Sequence, residues 1–413
     1  MKNKVDFITL KNGLTVIAEQ MPNVNSIAFD FKIPAGSAMI DEKYAGAASV
    51  ISDWLFRGTQ SLTSRELIEK FDYLGIHHSG SANTSCLDLG AVLESGNFAS
   101  ALELMAQVML TPRFDQTQFD LSKETAIQEI VSLDDDPRQK VMLRLKEQFY
   151  PKPFNHNPMG TIETLKALDA SQAADIYRQN LDLSRTIIAI AGKYDLSALK
   201  TQIESLFSGD FASRRPDIIP SGSGAKYTHE HHDGSQLHIG LITPTVKISN
   251  PDYYNAVAAA TILGGGMSSR LFTEVREKRG LCYSVGAKYQ TLKDYAGIAC
   301  YAGTTQDKAQ ETLDVIVNEF SGIVKGITQD ELDRAKVGLK SSLIMSSESS
   351  SARSSNLGSD FYLLGKVRSL DEIKQKIESL TVNSVIDFIR NNPLNDFTVF
   401  TIGPKEINPP SNN

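Results

Sequence analysis

Ser49, Ser52 and Asp53 fall at i, i+3 and i+4 in the stretch GAASVISDWLFRGT, so a helix would place all three on one face. Ala47, Val50, Ile51, Trp54 and Leu55 fall on the opposite, apolar face. Two hydroxyls and one carboxylate are a poor set for metal chemistry. A catalytic zinc needs about three imidazole or anionic ligands plus a water, a neutral serine is a weak ligand, and a serine is no general base. A second set of chemically able residues lies far along the chain. Arg276 and Tyr283, in REKRGLCY, carry a fixed fork of N–H donors and a phenolic hydroxyl. The alternatives for this pair are a surface salt bridge from Arg276 to Glu274 or Glu277 and a half-buried strand position for Tyr283. His229, His231 and His232 in THEHHD place two imidazoles on one strand face but bring no clear third ligand. Gly264, Gly265 and Gly266 follow a helical pattern, not a strand, and lack the spacing of a phosphate-binding loop.

The elements that must carry these residues are written twice. SIAFDFKIPAGSAMIDEKYAGAASVISDWL and LHIGLITPTVKISNPDYYNAVAAATILGGG both read as a strand, a loop and an Ala-rich helix. Pro34 and Tyr44 match Pro244 and Tyr254, each 210 residues on, and Gly192 matches Gly403. Each half mixes short strands that pair as hairpins with helices of 3.6 periodicity, such as FASALELMAQVM and QETLDVIVNEF. This predicts an α+β fold of two homologous domains, each an antiparallel sheet flanked by helices. The boundaries expected are 1–213 for the first domain, 214–236 for a linker rich in Pro, Gly and Ser, and 237–413 for the second. Residues 341–355 hold nine serines and read either as a linker or, because Leu332, Ala335, Leu339 and Ile344 run an apolar stripe into them, as a polar-faced helix. The NPPSNN tail is expected to be disordered.

Of 413 residues, 41% are hydrophobic and 22% charged, as in soluble globular proteins, and the length suits two domains of about 200 residues. A net charge of -7 argues against nucleic acid or an anionic membrane as the main partner. The amino-terminal MKNKVDFITLKNG lacks an apolar core of signal-peptide length, and no apolar run is long enough to span a bilayer. Cys86, Cys282 and Cys300 show no C-x-x-C spacing and read as free thiols in a reducing compartment. Together these features predict a cytoplasmic protein.

The helix frame resembles that of the insulinase/pitrilysin metallopeptidases, the inverzincins, whose H-x-x-E-H motif is flanked by G-x-A and F-K-G-T. Gly46, Ala48, Phe56, Gly58 and Thr59 match, with Arg57 in place of Lys. The resemblance puts the two zinc histidines at Ser49 and Asp53, the water-activating glutamate at Ser52, and the third ligand at Glu129 in ETAIQEIVSLDDDP. Gln128 replaces the first residue of the family's E-E-I. The second half resembles the family pattern R-x-x-x-x-G-L-x-Y-x-V, with Arg276, Gly280, Leu281, Tyr283 and Val285 in register. In that family the Arg and Tyr face the zinc across a chamber, bind substrate and help stabilise the tetrahedral intermediate.

The resemblance therefore implies a short, two-domain subunit that lacks the zinc-binding motif. It implies that this chain binds no cofactor, with zinc expected in a homologous partner subunit, and that Arg276 and Tyr283 serve that partner's site in trans. The partners implied are the zinc-binding homologue and short peptides. An alternative is a purely structural or peptide-binding subunit without a role in hydrolysis.

Overall fold

The computed structural model describes residues 4–209 and 218–410, so the first residues of the expected linker and the last three of the tail lie outside the described residues. The chain divides into two compact units. The first comprises residues 1–132, 152–221 and 346–362, and the second comprises 133–151, 222–345 and 363–413.

In the first unit, six strands form a sheet: β1 (Val5–Thr9), β2 (Thr15–Gln20), β3 (Ser26–Ile33), β4 (His77–Ala82), β5 (Leu87–Glu94) and β6 (Ile187–Gly192). They lie in the order β1-β2-β6-β3-β5-β4. In the second unit β7 (Tyr227–His231), β8 (Gln236–Pro244), β9 (Cys282–Thr291), β10 (Ala296–Thr305) and β11 (Thr398–Gly403) lie in the order β7-β11-β8-β10-β9. Without β1 the two orders are the same topology, as the repeat in the sequence requires. Most pairings are antiparallel, but β2 pairs parallel with β6, and β7 with β11. Each sheet thus takes its last strand from the far end of its repeat and sets it between two earlier strands, β6 between β2 and β3 and β11 between β7 and β8.

Alternation along β3 sends Ile27, Phe29, Phe31 and Ile33 into a core shared with the helices of the first unit, including Trp54, Phe71, Leu102 and Phe119. Lys32, Asp30 and, on β2, Glu19 point to the other face. There the sheet meets the helix Ser350–Leu364, whose Arg353 reaches Glu19 and whose Gly358 packs against Lys32 and Ala189. The second sheet is covered in the corresponding way by the helix Pro137–Phe149, whose Val141 and Leu145 pack on Ile242, Ala299, Phe400 and Ile402. Each unit therefore borrows a helix from the other half of the sequence. This is why β6 and β11 are buried at every position rather than at alternate ones. It also means that the units are not the contiguous halves 1–213 and 237–413, and that helices cover parts of both sheet faces. The expected 214–236 linker contributes β7 to the second sheet.

The serine-rich stretch is helical, in two segments, Gln329–Ser347 and Ser350–Leu364. The second buries Ser350, Arg353, Ser354, Leu357, Gly358 and Asp360. Among the described residues, no helix is long and apolar enough to cross a membrane.

Candidate functional sites

The first site is on the helix Ala47–Trp54, which opens at Gly46 with φ +93, a left-handed start that favours glycine. Trp54 anchors the helix from below: it is buried against Phe114 and Phe119, and its indole N–H donates to the carbonyl of Asp115 at 3.0 Å. On the side facing the edge strand β4, a Cβ at Gly80 would overlap the Ser52 carbonyl oxygen, so glycine permits the close approach of strand and helix.

That approach changes the expected face. Ser52 is only 6% exposed, and its hydroxyl donates to the Ser49 carbonyl at 2.7 Å. Asp53 keeps 43% of its side chain exposed, yet one carboxylate oxygen accepts from Arg57 Nε at 2.6 Å and from the Ser122 hydroxyl at 2.5 Å. Glu129 lies on the helix Gln116–Ser132, which also carries Ser122. Partial burial and then the charge of Asp53 raise the Glu129 carboxyl above the usual carboxylate range. His78 on β4 stacks on Phe56 at 4.6 Å and packs against Phe71 at 4.5 Å; burial lowers its imidazole pKa, against the opposing pull of Asp53.

The fold thus gathers Ser49, Ser52, Asp53 and Glu129 around the two helices, but their chemistry does not fit zinc. Two hydroxyls replace ligand and base, and the one carboxylate in ligand position is already held by a guanidinium and a hydroxyl. Among the described residues, no three His, Cys, Asp or Glu side chains are placed to hold a metal ion. Sequence reasoning missed Arg57 and Ser122 as the groups that bind Asp53. Arg57 was readable as an i, i+4 partner, whereas Ser122 comes from another helix and left no local signal.

The raised Glu129 carboxyl carries a testable sign. Because the fold disfavours its ionised form, that penalty is absent below the ordinary carboxylate pKa and complete above the raised one. Glu129→Gln is therefore expected to stabilise the protein at pH 7, by less than about 1 kcal/mol because solvent screens this exposed position. The gain should vanish near pH 4. Urea midpoints at the two pH values check it, and a variant less stable than the parent at pH 7 contradicts the reading.

The second site is in the second unit. Phe272–Glu277 forms a π-helical turn anchored by buried Leu271 and Val275. Gly280, with φ +57, closes it and turns the chain into β9, which carries Tyr283. The Arg276 guanidinium carbon lies 4.9 Å from the centre of the Tyr283 ring and 4.7 Å from that of Phe272. Tyr283 is 82% exposed. Neither salt bridge of the expected alternative forms: Arg276 makes no ion pair with Glu277, and Glu274 is held by Lys278 at 2.6 Å and Arg279 at 2.7 Å, bonds that lower its carboxyl pKa. Among the described residues Arg276 forms no ion pair, and its half-buried guanidinium lies beside an exposed phenol. Sequence reasoning brought Arg276 and Tyr283 together and missed Phe272, whose i, i+4 spacing to Arg276 was the available signal.

The histidine-rich segment forms no comparable site. His229 bonds to Thr401 at 2.9 Å and His231 pairs with Asp233 at 3.1 Å. Cys86, Cys282 and Cys300 are free thiols, two of them buried.

Comparison with known proteins gives a consistent picture. The profile described as insulinase (peptidase family M16) matches residues 15–161, and that of the peptidase M16 inactive domain matches residues 167–339. An uncharacterized zinc protease of Rickettsia felis is 26% identical over 98% of this chain and 99% of its own length. One of Bacillus subtilis is 28% identical, covering 96% of this chain and 97% of the relative. Among solved structures, a peptidase M16 inactive domain from Pseudomonas fluorescens superposes with a TM-score of 0.88 at 21% identity, covering 98% of this chain and 99% of the other. A protease from Helicobacter pylori gives the same TM-score of 0.88 at 20% identity, with coverage of 97% and 99%. These two structures share the fold of this chain.

Proposed function

Because the chain belongs to the insulinase family, peptidase family M16, we propose that it is the zinc-free subunit of a heterodimeric metallopeptidase, lending Arg276 and Tyr283 to a partner's zinc site. The observation that carries this reading is the contact between Arg276 and the exposed Tyr283, with no carboxylate partner for the guanidinium among the described residues. The partner's zinc would polarise the scissile carbonyl and activate water. This chain's part is to hold donors where charge develops. The planar Arg276 fork takes carbonyl or oxyanion oxygens in its plane, and the Tyr283 hydroxyl donates a further hydrogen bond.

The occupied Asp53 and the serines at 49 and 52 support the other half of the proposal, that the metal comes from elsewhere. The class of substrate proposed is short peptides. Three free thiols support a cytoplasmic setting.

The test is reconstitution. The chain purified alone is expected to hold no stoichiometric zinc by elemental analysis and to leave peptides uncut. Copurified from its native cell with a homologue carrying H-x-x-E-H, it is expected to hydrolyse them. One zinc per isolated chain, or a homologue equally active without this chain, would overturn the proposal; stable assembly without any gain in hydrolysis would favour a structural subunit.

A further inference from the structure

The geometry points to Phe272 as the positioning residue for Arg276, an assignment that rests on the role proposed above. Arg276 has a long side chain and, among the described residues, no carboxylate to fix it. Left to itself such a side chain samples many rotamers, and an oxyanion donor that must be ordered at the moment of reaction loses much of its value. The structure supplies order another way. The guanidinium lies within 4.7 Å of the Phe272 ring centre and 4.9 Å of the Tyr283 ring centre. Contacts of this kind use the face of the guanidinium and leave its N–H edge free to donate in the plane.

The backbone is shaped to the same end. An α-helix has 3.6 residues per turn, so residues four apart are offset around its axis. Over Phe272–Glu277 the turn is wider: Lys278 N–H bonds back five residues to the Thr273 carbonyl at 2.9 Å. A wider turn brings residues four apart closer to one line, and here these are Phe272 and Arg276. Leu271 and Val275, both fully buried, fasten the turn to the core, so the half-buried Phe272 ring is not needed as its anchor. Tyr283 cannot do this work alone, because it is itself 82% exposed.

Phe272→Leu tests this, with Phe272→Trp as the conservative control and unchanged thermal midpoints as the check on folding. In protein labelled with ¹⁵N-arginine, the Arg276 Nε–H resonance is identified by its loss in Arg276→Lys. The leucine variant is expected to shift this resonance downfield as a ring current is removed and to quicken its exchange with water, and tryptophan is expected to restore both. In the complex with the zinc-bearing homologue, Phe272→Leu should lower kcat about tenfold with KM within about twofold. It should cost nothing further in an Arg276→Ala background. An unmoved Arg276 resonance, a parental kcat, or an equal loss in the Arg276→Ala background would each overturn the assignment. If Arg276→Ala itself leaves the rate intact, the peptidase role fails, and the resonance still decides whether Phe272 holds Arg276.

Discussion

Arg276→Ala, in the complex with the zinc-bearing partner, is expected to lower peptide hydrolysis about 10²-fold to 10³-fold, the usual cost of removing one preorganised oxyanion donor. Tyr283→Phe, which removes one hydroxyl and leaves the ring against Arg276, is expected to lower the rate at least about tenfold, a barrier increase of about 1.4 kcal/mol. In both variants the dissociation constant between the subunits should stay within about threefold of the parent, because Tyr283 is exposed and, among the described residues, Arg276 forms no ion pair that supports the fold. The arginine variant is also expected to raise KM, since a guanidinium can bind substrate carbonyls in the ground state, whereas the loss of the phenol should fall mainly on kcat. Steady-state kinetics alongside a binding isotherm separate the two quantities. A double variant that cuts peptides at the parental rate leaves the pair without a catalytic role.

The largest expected effect on stability is at the ion pair that seats the borrowed helix. Arg353 and Glu19 are 4% and 1% exposed; Arg353 Nε donates to one Glu19 oxygen at 3.2 Å, and its terminal nitrogen donates to the other. Arg353→Ala leaves the Glu19 carboxylate buried without its guanidinium, which should cost about 3–5 kcal/mol. Desolvation, not the contact as such, dominates that figure. The double variant Arg353→Met with Glu19→Leu removes both charges and should recover most of the loss, since well-packed apolar replacements of buried pairs are often neutral. Chemical denaturation of the parent, the single variants Arg353→Met and Glu19→Leu, and the double variant completes a cycle, and additive losses would show that the two charges do not act as a unit.

The sequence determined more of this protein than its weak chemistry suggests. The repeat at a fixed offset announced two copies of one α+β unit, and the shared strand order bears this out. The helix frame around Trp54 and the Arg276–Tyr283 register were legible because each depends on spacing along one or two adjacent elements, which the periods of helix and strand express directly. Even the serine-rich stretch kept enough pattern to read as helix.

What only the tertiary structure decided is which distant segments meet. The helix Ser350–Leu364 buries a face built mostly of Ser, Arg, Gly and Asp, so hydropathy marks it as solvent-facing, although Glu19 on β2 makes that face an interior one. The exchange of helices between the units follows from such long-range complementarity and has no local signature. Ser122 closing over Asp53 and the wide turn that sets Phe272 beside Arg276 are of the same kind. A sequence pattern reports how each segment can fold and which face it offers. The identity of the group that satisfies a buried charge, or steadies an exposed one, is fixed only when segments far apart in the chain compete for the same space.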